Sequence, residues 1–371
     1  MNWFEIANAA EVPSPALLIH PERVEANLRE MLRIAGGPAR LRPHIKTHKL
    51  PQLILRQVEM GITKFKCATI AEAEMAATHG AEDILLAYQP VGPHAQRFME
   101  LVATYPLRRF SCIADDGDAI CALANARLGQ PISEPVEIFL DLDIGQHRTG
   151  IAPGPKAIEL AKLIRSLPDV RFAGLHAYDG HIHDPDPVER AAKCDAAFAP
   201  VLELKRTLEA VGIPVPAIVA GGSPTFAIHA QRTEPGLELS PGTTVFWDAG
   251  YARKLPDLNF LPAAVLLTRV VSKSAANRLC LDLGHKAVAS EMPQPRVVFL
   301  NLPEATLVMH SEEHLVVETP HAAEFAVGAV LYALPWHVCP TVALHEEVYV
   351  VRDRSVRERW QVTARKRRID I

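Results

Sequence analysis

Between about residue 40 and residue 248, a short β-forming run is followed by a stretch of helical spacing eight times over, and after about Tyr251 the alternation stops. Few architectures satisfy such a pattern. Parallel strands need a crossover of a dozen or more residues, usually a helix, so repeated strand–helix units build a parallel sheet. The runs are Leu41 to Lys46, Lys64 to Thr69, Asp83 to Tyr88, Arg109 to Ala114, Val136 to Asp143, Phe172 to Tyr178, Ala217 to Gly221 and Leu237 to Trp247. Helical patterns between them include Ile70 to His79, Pro155 to Leu167 and Pro200 to Val211. Eight such units in about 200 residues predict an α/β fold, a closed (β/α)8 barrel of TIM type. From Ala264 onward strand follows strand: Ala264 to Val271, Arg278 to Leu283, Val297 to Leu300, Leu315 to Glu318, Ala329 to Leu334 and Glu347 to Val351. That is a second, all-β domain, which the early run Pro15 to His20 is expected to join. The expected boundaries are 21–249 for the barrel and 1–20 with 250–371 for the β domain.

With 371 residues, 49% hydrophobic and 22% charged, the chain can fill one large domain and a smaller partner. A net charge of -4 provides no basic field for nucleic acid or an anionic membrane. The run Arg365-Lys366-Arg367-Arg368 reads as a solvated tail. There is no cationic start leading into an apolar signal core and no apolar run of membrane-spanning length, so the cytoplasm is the expected location. Cys67, Cys112, Cys121, Cys194, Cys280 and Cys339 lack paired short spacing and read as reduced thiols. All but Cys339 look like small core residues.

In a TIM-type barrel, polar residues at the strand C-termini line the active-site face. Lys46 falls there, within the octet Arg42-Pro43-His44-Ile45-Lys46-Thr47-His48-Lys49. A lysine at the end of a buried strand, with other cations close by, can have its pKa lowered until the free amine is available for Schiff-base chemistry. The alternative is that Arg42, Lys46 and Lys49 form a solvated loop. Gly221, Gly222, Ser223 and Thr225 follow a hydrophobic strand, and Gly242-Thr243-Thr244 repeats the chemistry one strand later. Exposed amides and hydroxyls suit a phosphate dianion, and barrels bind phosphate near strands seven and eight. Arg148, in Asp143-Ile144-Gly145-Gln146-His147-Arg148, is a permanently charged planar donor that could meet a pyridine nitrogen or pair with Asp143. His337 and Cys339 sit two apart at the end of a β run, where imidazole and thiolate on one face could grip a divalent metal such as zinc. His181, His183 and Asp184 offer a competing ligand spacing.

Together these segments resemble the family of D-threonine aldolases and D-serine dehydratases, metal-activated pyridoxal phosphate enzymes with the alanine-racemase-like barrel of fold type III. The resemblance spans nearly the whole chain. It rests on the octet, the Gly-Gln-x-Arg-x-Gly loop around Arg148, the run Ala177 to Gly180, the Gly-Gly turn and the Pro-Gly-Thr-Thr segment. Asp282-Leu283-Gly284-His285-Lys286, Glu312-Glu313-His314 and Pro335-Trp336-His337-Val338-Cys339-Pro340-Thr341 continue it. The resemblance implies that Lys46 carries pyridoxal 5'-phosphate covalently, Arg148 meets its pyridine nitrogen and Tyr178 lies against it. It also implies that His337 and Cys339 hold the metal, with zinc favoured over manganese or another divalent ion. A head-to-tail homodimer would set the β domain of one subunit over the barrel mouth of the other.

Aldolases of this family usually have Asp where this chain has Cys339, and dehydratases have Cys. Asp179 also replaces a His found after the tyrosine in many aldolases. The expected reaction is therefore β-elimination from a D-configured β-hydroxy amino acid, as in D-serine dehydratase, giving a 2-oxo acid and ammonia. An arginine on the pyridine nitrogen does not readily donate its proton, which leaves a weakened electron sink and favours a Lewis acid on the leaving hydroxyl. Retro-aldol cleavage to glycine and an aldehyde is the alternative, followed by racemisation and a non-catalytic pyridoxal phosphate carrier.

Overall fold

The structure is a computed structural model that describes residues 2–127, 129–302 and 304–371. It divides into two compact units. One comprises the N-terminal segment through Glu30, Thr47–Leu50 and Thr243–Arg365; the other comprises Met31–Lys46, Pro51–Gly242 and Lys366–Ile371. The described residues form sixteen strands, numbered here in chain order: β1 (Ala16–Ile19), β2 (Lys64–Cys67), β3 (Asp83–Leu86), β4 (Arg109–Ala114), β5 (Val136–Leu142), β6 (Val170–Ala177), β7 (Ala217–Ala220), β8 (Leu237–Leu239), β9 (Ala264–Ala275), β10 (Arg278–Leu281), β11 (Val297–Phe299), β12 (Thr306–His310), β13 (Leu315–Glu318), β14 (Val330–Pro335), β15 (Glu347–Arg352) and β16 (Ser355–Gln361).

In the larger unit β2 to β8 pair in sequence as one parallel sheet. The run expected as the first strand forms no ladder. Its place is taken by two parallel bridges, Leu41 to Leu239 and His44 to Lys66. Backbone bonds from Arg42 to Leu239, His44 to Pro241 and Lys66 to Pro43 tie the segment to both edges of the sheet. Pro43 has no N–H to offer a ladder, and the chain turns into a 3-10 helix at Ile45–Thr47. The eighth run is likewise shorter than expected: β8 ends at Leu239, Pro241 interrupts it, and Thr243–Val245 is a 3-10 turn. Inside the ring, Leu85, Ile113, Phe139, Ala173 and Val219 from β3 to β7 form one apolar layer.

At the N-terminal ends of these strands lies a ring of charge. Arg42, only 2% exposed, binds Asp83 at 2.7 Å and Glu238 at 2.5 Å, while Lys64 binds Glu238 at 2.6 Å. Arg109 and Arg171 share Glu137 at 2.6 and 2.8 Å. Arg42 is thus a buried structural cation on the face opposite the strand C-termini, not part of a solvated loop.

The helix expected over Pro200 to Val211 is the second half of a longer one, Pro187–Ala210. Asp186 caps it by accepting from the amides of Val188 and Glu189, and Pro200 lies inside. The lost backbone bond is offset by a continuous buried stripe of Cys194, Phe198, Val201, Leu204 and Leu208. Residues 366–371 are no free tail, although Arg367 and Arg368 are exposed. Glu74 accepts from the amides of Asp370 and Ile371, and Arg97 donates to the carbonyl of Arg367.

The smaller unit is built on the sheet order β12-β13-β10-β9-β1-β15-β16, with β14 pairing β9 and β11. β1 lies antiparallel to β9 and parallel to β15. Its core gathers Phe4, Ile6, Val12, Leu18, Val265, Leu267, Tyr332 and Val351. β12 and β16, absent from the sequence-based expectation, are the end strands of the main path; β12 has no buried residue and β16 only Trp360. An edge strand with few inward side chains leaves little hydrophobic alternation to read.

Candidate active site

The strand C-termini of the larger unit enclose a cavity of about 490 Å³. Three cations reach it: Lys46 from the 3-10 turn, Lys66 from β2 and Arg148 from the loop after β5. All three converge on Tyr178, immediately after β6. The two ammonium nitrogens lie 5.8 Å (Lys46) and 5.4 Å (Lys66) from its ring centroid, and the Arg148 guanidinium 5.3 Å from it. Among the described residues none of the three side chains has a hydrogen bond or ion pair. Gly180 lets the tyrosine ring fold back: a Cβ there would lie 2.2 Å from its hydroxyl.

The loop carrying Arg148 is shaped by Asp143. Its Oδ1 accepts from the amides of Gly145 and His147, each at 3.0 Å, and its Oδ2 meets the His147 ring at 2.8 Å. Asp143 is therefore taken up by the loop, and Arg148 is left facing Tyr178. Deeper in the cavity Asp141 joins Thr149 at 2.9 Å and His176 Nδ1 at 2.7 Å. Burial lowers the His176 pKa against the pull of Asp141. With the imidazole neutral and Nδ1–H donating to Asp141, Nε2 is a buried acceptor that has no partner.

Lys66 is the cavity residue that sequence reasoning missed. Burial, then the neighbouring charge of Lys46, pushes its ammonium down to about 7, with Asp179 and Asp141 opposing. The signal was present in β2, where Lys64 and Lys66 alternate onto one face of an otherwise core-like strand.

The two turns expected to hold phosphate are bonded to each other and to the end of β6. The Gly221 amide bonds Ala177, the Gly222 amide bonds the Thr225 hydroxyl at 3.1 Å, and the Gly242 amide bonds the Ser223 hydroxyl at 3.1 Å. Thr225 in turn donates to Asp179 Oδ1 at 2.7 Å. Asp179 Oδ2 meets His229 Nε2 at 2.8 Å, and Cys194 lies 3.4 Å from the same nitrogen. This is the only buried group of three ligand-type side chains among the described residues. Its chemistry is that of a hydrogen-bond brace: burial, then Asp179, pushes the Cys194 thiol up to about 12 and keeps it protonated, and Arg232 lies beside both Cys194 and His229. Sequence analysis did not find it, because the partners are 15 to 50 residues apart. A Cβ on Gly222 would come to 3.0 Å from the Tyr178 ring, so this glycine permits close packing against the cavity wall.

In the smaller unit His337 and Cys339 do meet, though not as alternate residues of a strand. β14 ends at Pro335, His337 is the N-cap of the helix Val338–Leu344, and Cys339 is the second residue of that helix. Glu291 holds His337 Nδ1 at 2.5 Å. Cys339 Sγ lies 3.2 Å from Thr47 and 3.4 Å from Thr243, so the Thr243 hydroxyl faces the thiol. Burial opposes charge on His337, yet hydrogen bonding and attraction to Cys339, with Glu291 adding, push the imidazole up to about 9. Burial likewise opposes the thiolate, and bonding to His337 overcomes it, holding Cys339 below its ordinary value. Asp248, buried and pushed up to about 6 chiefly by that burial, caps the helix Ala249–Lys254 and also accepts from the Val338 amide at 3.0 Å. Of the competing spacing, His183 bonds the His181 carbonyl at 2.8 Å and Asp184 pairs with Lys193, so these three form no ligand group.

The family model described as alanine racemase, N-terminal domain, matches residues 19–249, and a serine dehydratase domain model matches residues 263–351. The D-threonine aldolase of an Arthrobacter species is 32% identical over 361 residues, covering 96% of this chain and 93% of that protein. The D-threo-3-hydroxyaspartate dehydratase of a Delftia species is 27% identical over 358 residues, covering 89% and 92%. The crystal structure of D-threonine aldolase from Filomicrobium marinum superposes with a TM-score of 0.88 at 29% identity, over 96% of both chains. Fold and site thus define a pyridoxal phosphate-dependent lyase on the alanine-racemase-like fold. Within that class, the chain belongs to the family of D-threonine aldolases and D-serine dehydratases.

The residues present fit that cofactor. Two amines and a guanidinium without side-chain partners, set around an aromatic ring in a cavity of this size, suit a flat anionic aldehyde. The pair in the smaller unit fits a divalent metal: one nitrogen and one sulfur donor, with a carboxylate holding the second ring nitrogen as in many metal-bound histidines.

Proposed function

We propose that the protein is a divalent-metal-dependent lyase that dehydrates D-configured β-hydroxy amino acids, D-serine being the simplest, to a 2-oxo acid and ammonia. Bound at Lys46, pyridoxal phosphate would supply the electron sink for the Cα carbanion. Zinc or another divalent ion at His337 and Cys339 would supply a Lewis acid for the β-hydroxyl. Lys46 would also be the base for the Cα proton. Arg148 would hold the pyridine nitrogen and Tyr178 the ring, while the Gly221–Thr225 and Gly242–Thr244 segments would take the phosphate end, exchanging bonds that they now make to one another for bonds to the dianion. The enzyme works in the cytoplasm as a homodimer whose active site lies between subunits.

The observation that carries elimination over aldol cleavage is Cys339, held toward thiolate by His337 where aldolases of the family usually have Asp. Retro-aldol cleavage has support of its own, since two of the three relatives described above are aldolases. Borohydride reduction followed by peptide mass mapping, with metal analysis of the same sample, tests the assembly: a reduced adduct on Lys46 and about one divalent ion per chain are expected. An adduct elsewhere, or turnover that survives complete chelation, contradicts it.

A further inference from the structure

Lys66 is 2% exposed and belongs to the cavity wall, yet its ammonium has no hydrogen-bond or ion-pair partner among the described residues. A fully buried amine in that state is costly to charge unless a ligand completes it. Asp179 and Asp141 both act on Lys66 through charge, yet Asp141 is already bonded to Thr149 and His176, and Asp179 to Thr225 and His229. Neither supplies Lys66 with a bond. Lys66 lies 5.4 Å from the Tyr178 ring that Lys46 and Arg148 also approach, and His176 Nε2, a second buried polar atom without a partner, lines the same cavity. Lys46 and Arg148 have roles in the proposed function, on which this inference rests. Lys66 has none.

We propose that Lys66 is an anchor for an oxyanion bound deep in the cavity, either the ring oxygen of the cofactor or a carboxylate of the D-amino acid. The amine is half protonated near neutral pH in the empty site, and an arriving oxyanion would complete its protonation. Such an anchor makes the empty protein less stable than it would be with an apolar side chain, and it makes the loaded protein tighter.

The test compares wild type with Lys66→Met and Lys66→Arg. In the cofactor-free proteins, Lys66→Met is expected to raise the thermal midpoint, because it removes an uncompensated buried amine. If the anion is the cofactor's, absorbance titration with pyridoxal phosphate should show a dissociation constant about tenfold or more higher in Lys66→Met, with partial recovery in Lys66→Arg. If it is the substrate's, cofactor affinity stays constant and KM for D-3-hydroxyaspartate and D-serine rises about tenfold while kcat changes little. A lower midpoint in Lys66→Met would show that the lysine braces Asp141 and Asp179 and would overturn the inference. So would unchanged cofactor affinity together with unchanged KM. Borohydride mapping of the wild type separates the two levels: no adduct on Lys46 refutes the parent reading and this inference with it, whereas an adduct with indifferent Lys66 variants refutes the inference alone.

Discussion

Replacing Lys46 by alanine removes the amine expected to carry the cofactor and to take the Cα proton. Turnover of any D-β-hydroxy amino acid should fall by at least about 10²–10⁴-fold, the range a positioned general base supplies, and the absorbance of covalently bound cofactor should vanish. Cys339→Asp keeps a metal-binding donor but exchanges sulfur for oxygen, so metal should be retained while the product ratio moves toward glycine and aldehyde; a ratio unchanged from wild type would count against Cys339 as the discriminating residue. Glu291→Gln leaves both donors in place and weakens only the hold on His337 Nδ1, for which a 10–100-fold loss of metal affinity, in the order of magnitude typical of such outer partners, is expected by competition with a chelating dye. At this scale the octet was half legible. Lys46 reaches the cavity as its position predicts, while Arg42, chemically similar in sequence, lies at the other end of the barrel because it follows the Leu41 bridge to β8, whereas Lys46 lies beyond the His44 bridge to β2, in the 3-10 turn.

Among the elements, the ring of parallel strands carries the clearest tests. Arg42→Met leaves Asp83 and Glu238 without their shared cation in a buried layer, and a loss of about 3–5 kcal/mol in urea unfolding is expected. Gly174, at φ +140, follows the register shift between β5 and β6, and a Cβ there would lie 1.9 Å from the Ala217 carbonyl. Gly174→Ala must therefore displace the β6–β7 ladder and should lower the thermal midpoint more than an alanine placed at exposed Gly212, around which the structure leaves open space. Strand–helix alternation revealed β2 to β7 because their residues are buried on both faces and flanked by clear turn signals. It failed at the first and eighth positions, where Pro43 and Pro241 break the ladder, and at the edge strands β12 and β16, which bury little. The brace Asp179–Thr225–His229–Cys194 was illegible for another reason: its members come together only through the sheet order, and no local spacing marks them.

For the whole molecule, buried histidines set the response of the empty, metal-free protein to acid. Burial, then the Arg23 charge, pushes His20 down to about 4; burial, then Lys49, pushes His48 down to about 3. His176, His310 and His345 are lowered as well, each chiefly by burial. Unfolding lets these rings take a proton at their ordinary value of 6.5, so the unfolded chain binds more protons than the folded one below that pH. Their stabilising contribution is complete above pH 6.5 and is lost as the pH falls through the window down to about 4 and 3. Asp248, raised to about 6, and His337, raised to about 9, act in the opposite sense, but they are two groups against five. Urea midpoints should therefore fall between about pH 7 and about pH 4.5, and a flat or rising profile would contradict the neutral buried histidines. No helix of the described residues is long and apolar enough to cross a membrane.

Fold and family follow from the alternation of elements and from motifs spread over the chain, whereas the choice of reaction rests on the setting of one sulfur beside one imidazole. The direct measurement is to incubate the purified protein, loaded with pyridoxal phosphate and zinc, with D-serine and D-threonine and to identify the products. Pyruvate and 2-oxobutanoate, each with an equivalent of ammonia, are predicted. Glycine and acetaldehyde from D-threonine, without ammonia, would contradict the account.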